Sequence, residues 1–251
     1  MRAEGKRFFL GCSGYFYWGW RGRFYPENLK SKDWLSFYAG IFNTVELNST
    51  FYSFPKRENL KRLKRSVPEG FTFSVKANRS ITHLRRFRET EDMIEKFYLE
   101  VSDGLGNRLG PVLFQMPPSY RYSEDNLERI LKQLKGDFIN VLEFRHTSWW
   151  REEVFSILRS EGVVFCSVSF PGLPEELVET SNKVYIRFHG KEGKYRYRYS
   201  KEELKIWAES IRGSGAEEVY VYFNNDYNAN APDNCRELMN LLRIRPYREV
   251  S

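Results

Sequence analysis

Short runs of apolar, β-branched and aromatic residues recur along this chain at intervals of roughly thirty residues. Each run has the length and composition of a β-strand, and turn-forming or polar residues separate it from the next. We therefore predict eight strands, at residues 8–12, 44–48, 71–76, 112–115, 139–145, 163–168, 183–189 and 218–224.

The segments between these strands carry apolar residues at the spacing of a helix face. Helices are predicted after Ser31 or Asp33, across 56–65, after Thr90, after Ser123, around Phe155, after Ser200 and after Pro232. Ser200 and Glu203 have the spacing of a capping box, in which each side chain bonds the backbone N–H of the other residue. The proline-broken segment from Pro171 to Thr180 predicts only a short helix.

Strands that alternate with helices pair in parallel through crossover connections. Eight such units favour an α/β fold, a single (β/α)8 TIM barrel of eight parallel strands, and no linker divides the chain. An open doubly wound sheet is the alternative. It is disfavoured because Gly11-Cys12-Ser13-Gly14 lacks the third glycine of a dinucleotide-binding fingerprint and leads into aromatic residues. We predict one barrel domain over residues 1–251.

The carboxyl ends of the strands in such a barrel surround one mouth, and polar residues occur there on nearly every predicted strand. Glu143 and Arg145 lie two residues apart and so face the same way. Burial of so many polar groups without a use would be costly, which favours a functional site. The candidate catalytic residues are Glu46, Glu143, His189 and Lys76. The candidate ligand-binding residues are Ser13, Tyr15, Asn48, Tyr52, Gln115, Arg145, Trp149, Arg187, Asn224, Asn225 and Asp226.

The roles of these residues have alternatives. Glu46 and Glu143 can form an acid/base pair, because neighbouring carboxylates push each other's pKa apart. Each can equally be tied to a nearby lysine or arginine, which would keep it ionised and structural. His189 is either a general base or a hydrogen-bonded barrel histidine. His146 is expected to pack, and His83 to be solvated in a basic loop.

A metal site has the right ligand types but little other support. The carboxylate and imidazole groups that suit Zn, Mn or Fe occur at Glu46, Glu143, His189 and Asp226. The sequence has no His-x-x-x-His spacing, and the basic residues expected beside these groups would repel a cation. We therefore assign no metal ligands, the cofactor stays unknown, and a metal-dependent site is the less favoured alternative.

Charge favours anionic partners. The chain has 40 Lys+Arg against 33 Asp+Glu, a formal charge of +7. Two basic loops, after the third and seventh strands, should rim the mouth with Arg79, Arg85, Arg86, Lys194, Arg196 and Arg198. The second loop interleaves arginine with tyrosine, a composition that can hold phosphates and stack on bases.

Other features exclude several classes of protein. The three cysteines are far apart and form no Cys-x-x-Cys pair, so neither a disulfide framework nor a zinc knuckle is indicated. No signal peptide is recognisable, and no apolar run approaches the ~20 residues of a membrane helix. We expect a soluble, cytoplasmic protein without a membrane partner. The dense charge, 29%, is typical of thermophile proteins.

The motifs resemble, in order and over nearly the whole chain, those of the YecE-like family known as domain of unknown function 72. They are Gly11-Cys12-Ser13-Gly14-Tyr15 with Trp18, Thr44 to Tyr52 with Pro55, Phe73 to Ala77, Leu109-Gly110-Pro111, Gln115 to Ser119, Glu143-Phe144-Arg145-His146 with Trp149, Arg187 to Gly190, and Phe223 to Asp226. After the Asn-Asn pair the family usually has a glycine and then Asn-Ala, whereas Asn228-Ala229-Asn230-Ala231-Pro232 stands here.

The resemblance implies a barrel of eight parallel strands and no settled activity. Such barrels look similar to metal-dependent apurinic endonucleases and sugar isomerases, but an analogy of fold does not carry a reaction. The residues themselves favour a protein that binds, and as an acid/base enzyme of hydrolase, lyase or isomerase type acts on, a phosphorylated or other anionic small molecule. The alternatives are a nucleic-acid-binding or processing protein and a non-catalytic ligand sensor. Whether the protein is an enzyme stays open.

Overall fold

The computed structural model describes residues 1–3 and 5–246. Eight parallel strands follow one another around a nearly closed barrel, in the order β2-β9-β8-β7-β6-β5-β4-β3. They are β2 (Lys6–Cys12), β3 (Thr44–Leu47), β4 (Thr72–Lys76), β5 (Leu109–Gln115), β6 (Asn140–Glu143), β7 (Val164–Ser169), β8 (Lys183–Phe188) and β9 (Glu218–Phe223). A two-residue strand, β1 (Arg2–Ala3), runs antiparallel to β2 at the edge. The predicted α/β fold, a (β/α)8 TIM barrel, is confirmed.

Helices cover the outside of the barrel. They are α1 (Trp34–Ile41), α2 (Ser49–Tyr52), α3 (Arg57–Arg65), α4 (Glu91–Leu105), α5 (Glu124–Leu131), α6 (Glu152–Ser160), α7 (Lys201–Gly213) and α8 (Asn230–Leu241). The predicted capping box is present at α7, where Glu203 N donates to Ser200 Oγ and Ser200 N donates to the Glu203 carboxylate. None of the helices within the described residues is long and apolar enough to cross a membrane.

The short helix predicted between Pro171 and Thr180 is wrong, because that segment contains turns and extended chain but no helix. Its residues bond the neighbouring strand instead. Thr180 Oγ1 accepts from Phe165 N at 2.8 Å, and Val178 N donates to Ser167 Oγ at 2.9 Å. These side-chain bonds hold the chain flat against β7, where a helix would otherwise lie.

The barrel closes between β2 and β3 through side chains more than through a strand ladder. In the described part of the chain one isolated backbone bridge, between Ser13 and Glu46, joins these edges. Tyr38 Oη accepts from Cys12 N at 2.7 Å and donates to Thr44 O at 2.9 Å. Gly11 permits this approach, since a Cβ there would lie 2.1 Å from Thr44 O. The seam is therefore tight but rests on few hydrogen bonds.

The barrel interior changes from apolar to polar along its axis. Leu113, Val141, Val164 and Cys166 form a buried layer together with three tyrosines of β8 and β9: Tyr185, Tyr220 and Tyr222. Tyr222 Oη lies 2.8 Å from Thr44 Oγ1, so the hydroxyl is paired although the ring is buried. The charged residues predicted at the mouth lie beyond this layer, at the carboxyl ends of the strands.

We expect Tyr38→Phe to lower the free energy of unfolding by about 1–3 kcal/mol, because it leaves Cys12 N and Thr44 O without a bonding partner inside the seam. Urea denaturation checks this. Tyr52→Phe is the matched control, since its ring is 69% exposed. Equal stabilities of the Tyr38 variant and the wild type would show that the tyrosine bridge does not hold the seam.

Candidate functional site

The polar site at the mouth is built around one arginine. Arg187 projects from β8, is 1% exposed, and reaches carboxylates on two other strands. Its Nη2 donates to Glu46 Oε1 of β3 and its Nη1 donates to Glu143 Oε2 of β6, both at 2.6 Å. Both carboxylates are fully buried. The predicted proximity of these three side chains is therefore present, with a guanidinium between the two acids.

Glu46 has two further partners. Ser13 Oγ donates to Glu46 Oε1 at 2.7 Å, and Tyr185 Oη donates to Oε2 at 2.5 Å. Tyr185 also lies 2.8 Å from Ser74 Oγ. The sequence analysis missed Tyr185, although its position two residues before Arg187 on one strand face could have indicated it.

Glu143 is held ionised by the cations around it. Arg145 Nε bonds Glu143 Oε1, and His189 Nε2 lies 3.6 Å from that same oxygen. Burial alone raises the pKa of the Glu143 carboxyl, but the charges of Arg145 and Arg187 outweigh it and hold that pKa well below its usual range. Of the two roles left open, the contacts favour the ionised, paired carboxylate.

His189 is neutral in this setting. Burial, followed by the charges of Arg145 and Arg187, holds the pKa of its imidazole well below the usual range. Arg145 Nη2 lies 2.8 Å from His189 Nε2, and since a guanidinium only donates, Nε2 accepts. The ring proton then sits on Nδ1, which lies 3.0 Å from Asn224 Nδ2. Rotation of the Asn224 amide by 180° would exchange its nitrogen and oxygen and bring Oδ1 into place to accept this proton. We call Glu46, Glu143, Arg145, Arg187 and His189 the Arg187 cluster.

Lys76 lies beside this cluster but is bonded differently. Its Nζ donates to Gln115 Oε1 at 2.6 Å and lies 4.1 Å from the centroid of the Phe51 ring. No carboxylate among the described residues is within ion-pair distance of it. Burial, with the charges of Arg187 and Arg145, lowers the pKa of Lys76 to about 7, against the opposing effect of Glu143 and Glu46. Phe51 was missed by the sequence analysis, although it lies within the Thr44 to Tyr52 motif.

Two predicted ligand-binding residues line a small pocket on one side of the mouth. Tyr15 and Asn48, with the loop from Gly14 to Tyr17, enclose a volume of about 230 Å³. Asn48 Nδ2 donates to Ser13 O at 3.4 Å, and its Oδ1 is buried without a hydrogen-bond partner. Tyr52 is 69% exposed beyond this pocket, in α2.

The structure places three other predicted ligand-binding residues away from the cluster. Trp149 is fully buried, stacks on Phe144 at 3.8 Å between ring centroids, and donates from Nε1 to Tyr120 O. It therefore offers no exposed face to a ligand, because the 3-10 turn Thr147–Trp149 folds it back onto the barrel wall. Asn225 is buried and donates to Tyr197 O and Asn234 Oδ1. The backbone of Asp226 accepts from Trp20 Nε1.

The predicted rim residues are spread around the mouth. Arg79 and Arg85 are exposed, and Arg86 is half-buried with Nη2 3.1 Å from Ser119 Oγ. Arg196 lies over the Tyr227 ring, and Arg198 pairs with Asp233. The side chain of Lys194 lies outside what the structure describes. His83, expected to be solvated, is instead half-buried edge-on to Phe51, in a π-helical turn at Ser80–Leu84.

Three of the four residues considered as metal ligands, Glu46, Glu143 and His189, lie in the Arg187 cluster, but they are not arranged around a common cation position. Within residues 1–3 and 5–246 no group of three or more His, Cys, Asp or Glu is arranged to hold a metal ion. Arg187 also stands between Glu46 and Glu143, where a shared cation would have to lie. The donor set at the mouth therefore fits a guanidinium bridge and not a metal.

Comparison with known proteins identifies the family. The family model described as "Protein of unknown function DUF72" matches residues 9–249. The chain belongs to the DUF72 family. It is 30% identical to the UPF0759 protein YunF of Bacillus subtilis, over 94% of this chain and 95% of that protein. It is 25% identical to the UPF0759 protein YecE of Escherichia coli, over 82% of this chain and 84% of that protein.

Solved DUF72 structures share the barrel. The crystal structure of a DUF72 family protein from Thermotoga maritima is 31% identical to this DUF72 chain and superposes with a TM-score of 0.87, covering 94% of this chain and 99% of that one. A DUF72 family protein from Enterococcus faecalis, 22% identical, gives a TM-score of 0.79 and shows the fold alone. The family resemblance drawn from the motifs is confirmed.

The depressed pKa of Glu143 predicts a pH dependence of stability. Because the folded pKa lies below the unfolded value of about 4.3, the folded state is stabilised fully above that value, and the contribution is lost as pH falls through the folded pKa. We expect Glu143→Gln in this DUF72 protein to cost about 3–5 kcal/mol at pH 7, since it leaves buried cations without their partner. The cost should shrink as the pH falls below about 4.

Urea denaturation from pH 7 to pH 3 measures this difference. Glu128→Gln is the matched control, because Glu128 pairs with Lys132 on the exposed face of α5 and should give no measurable change. A cost for Glu143→Gln that stays constant over the whole pH range would contradict the depressed pKa.

Proposed function

We propose that this DUF72 protein binds a small anionic molecule, such as a phosphate ester or a carboxylate, above the Arg187 cluster and moves protons on it. The single observation that carries the proposal is Lys76, a buried ammonium group without a carboxylate partner, near the Arg145 guanidinium, whose side chain is 6% exposed. Lysines are rarely buried unless paired, so an anion supplied by a ligand would complete the set.

The electrostatics of the mouth support an anion. The pKa of His83 falls to about 4, first because of burial and next because of Lys76, with Arg145 and Arg86 acting in the same direction. Glu143 acts in the opposite direction. Lys76 and Arg86 thus place positive charge near His83, which favours an anion at the mouth.

Of the two nitrogen bases at the site, Lys76 suits proton transfer near neutral pH. Lys76, with its pKa lowered to about 7, populates both the charged and the neutral form. His189 is neutral and can accept a proton only against the charges of Arg145 and Arg187. Glu143 is held ionised, so we assign it to fixing Arg145 and Arg187, and we assign Lys76 to the proton transfer.

We expect Arg145→Met to weaken binding of an anionic ligand about 10- to 100-fold, because a charge-assisted hydrogen bond to an anion contributes about 1.5–3 kcal/mol. Calorimetric titration with inorganic phosphate and glycerol 3-phosphate measures this, after circular dichroism has shown that the variant is folded. Arg159→Met is the control, because Arg159 is an exposed residue of α6 paired with Glu152.

Unchanged affinity in Arg145→Met, or no binding of anions by the wild type, would contradict the proposal. Binding without turnover in a metabolite screen would instead identify a sensor.

One observation favours nucleic acid as a second candidate ligand. Arg85, Arg86 and Arg88, with His83, line an open concavity of about 540 Å³ beside the mouth. Three arginines on one surface can contact successive phosphates, and the bases of a single strand could stack on the exposed aromatic residue Tyr195.

If three phosphates are contacted, binding to a DNA duplex should weaken roughly 40-fold between 50 and 200 mM salt. The double variant Arg85→Gln, Arg88→Gln should then flatten that dependence. Fluorescence anisotropy with labelled DNA and RNA measures it, with the double variant Lys64→Gln, Arg65→Gln on the outer helix α3 as the control. Binding that is absent or insensitive to salt would remove this candidate.

A further inference from the structure

The bonding of Lys76 leaves its amine lone pair available. Lys76 is 9% exposed, and its Nζ donates one hydrogen bond to a neutral amide oxygen, Gln115 Oε1 at 2.6 Å. One face of the amine lies against the Phe51 ring, 4.1 Å away. The two other buried cations of the site, Arg145 and Arg187, are each bonded to carboxylate. A neutral amine in this position keeps its lone pair free of any proton donor that the structure describes.

Burial of Lys76 favours that neutral form. Arg187 and Arg145 also repel an ammonium ion, against the attraction of Glu143 and Glu46. His83, on the π-helical turn, is uncharged at pH 7, so it neither attracts nor repels an ammonium ion at Lys76. At pH 7 an ordinary lysine is neutral to about 0.04%, whereas a pKa of about 7 makes roughly half of the amine neutral. Lowered pKa and burial are the conditions under which lysines act as nucleophiles.

We propose that Lys76 is a nucleophile that forms an imine with an aldehyde or ketone carrying a carboxylate or phosphate group. The proposal deepens the anion-binding function above and rests on it, since Arg145 and the positive mouth would hold the anionic group while the carbonyl carbon meets Nζ. Gln115 orients the amine through its hydrogen bond. Lys76 is thereby the catalytic residue, and Gln115 is a positioning residue.

The reaction needs no oxidant, reductant or metal. The amine lone pair forms a bond to the carbonyl carbon, and the π pair of the C=O bond moves to the oxygen, which takes one amine proton. The C–O bond then breaks and the oxygen leaves as water with the second amine proton, so that a C=N bond joins Nζ to the ligand. Protonation of this nitrogen gives an electron sink for a later step at the adjacent carbon.

Reductive trapping tests the proposal. The wild-type protein is incubated with dihydroxyacetone phosphate, with pyruvate, or with glycerol 3-phosphate, which has the phosphate but no carbonyl, each in the presence of cyanoborohydride. Peptide mass spectrometry then locates any reduced adduct. We expect an adduct on Lys76 with at least one of the two ketones and none with glycerol 3-phosphate. Lys61, exposed on α3 and paired with Glu58, should remain unmodified under the same conditions.

Lys76→Arg and Lys76→Met remove the amine in two different ways. Both should abolish the adduct, and Lys76→Met should fold, because it replaces a buried cation that has no carboxylate partner with an apolar side chain of similar length. Lys61→Arg is the matched control and should keep the adduct. Trace acetylation of each lysine between pH 6 and pH 11 gives a second readout that needs no ligand. Lys76 should be labelled with a midpoint near 7, because at pH 7 its neutral fraction is on the order of a thousandfold that of an ordinary lysine.

The outcomes separate this inference from the anion-binding function. Binding of glycerol 3-phosphate without an adduct from either ketone would overturn the imine and leave the binding function standing. An adduct on Lys76 without glycerol 3-phosphate binding would uphold the imine and overturn phosphate binding. No adduct and no binding, or an acetylation midpoint for Lys76 near 10.4, would overturn the nucleophile.

Discussion

The half of the barrel at the carboxyl ends of its strands depends on the ion pairs of Arg187. A guanidinium and two carboxylates are withdrawn from water there, which costs several kcal/mol for each ion unless geometry and hydrogen bonds offset it. The planar fork of arginine can bond two acids at once, and its charge does not titrate. Because Glu46 lies on β3 and Glu143 on β6, the bridge ties β8 to two strands that are not its neighbours in the sheet. Removal of any member would leave the others charged and buried.

This bridge also decides which groups can do chemistry. A carboxylate shared between arginines is a poor proton carrier near neutral pH, because its protonated form is not populated there. Glu143 therefore acts as a fixed charge. The groups whose pKa values the surroundings move towards or below neutrality are nitrogen bases, Lys76 and His189. Burial is the main cause of that movement, and the cations that pair with Glu143 act in the same direction. The ion pairs and the reactive amine thus occupy one buried site.

Sequence patterns predicted the barrel and the centre of its mouth because both follow from local rules. Strand alternation puts Glu143 and Arg187 on inner faces, and parallel strands bring their ends together whatever the loops do. The residues after strand ends are less predictable, since a loop can turn either way. Arg145 lies two residues after the end of β6 and still bonds Glu143, whereas Trp149 lies six residues after that end, where a 3-10 turn carries it into the outer core. The half-buried position of His83 likewise depends on a π-helical turn that no local sequence pattern predicts.

The seam between β2 and β3 shares one residue, Ser13, with the polar site at the mouth. Ser13 forms the backbone bridge that closes the seam, and its hydroxyl donates to Glu46, which Arg187 holds from the other side. The neighbouring contact of Asn48 with Ser13 O leaves the Asn48 oxygen buried and unpaired at the adjoining pocket. Ser13 therefore links the closure of the barrel to the position of Glu46 in the Arg187 cluster, so that a change at this one residue should affect both barrel stability and the geometry of the site.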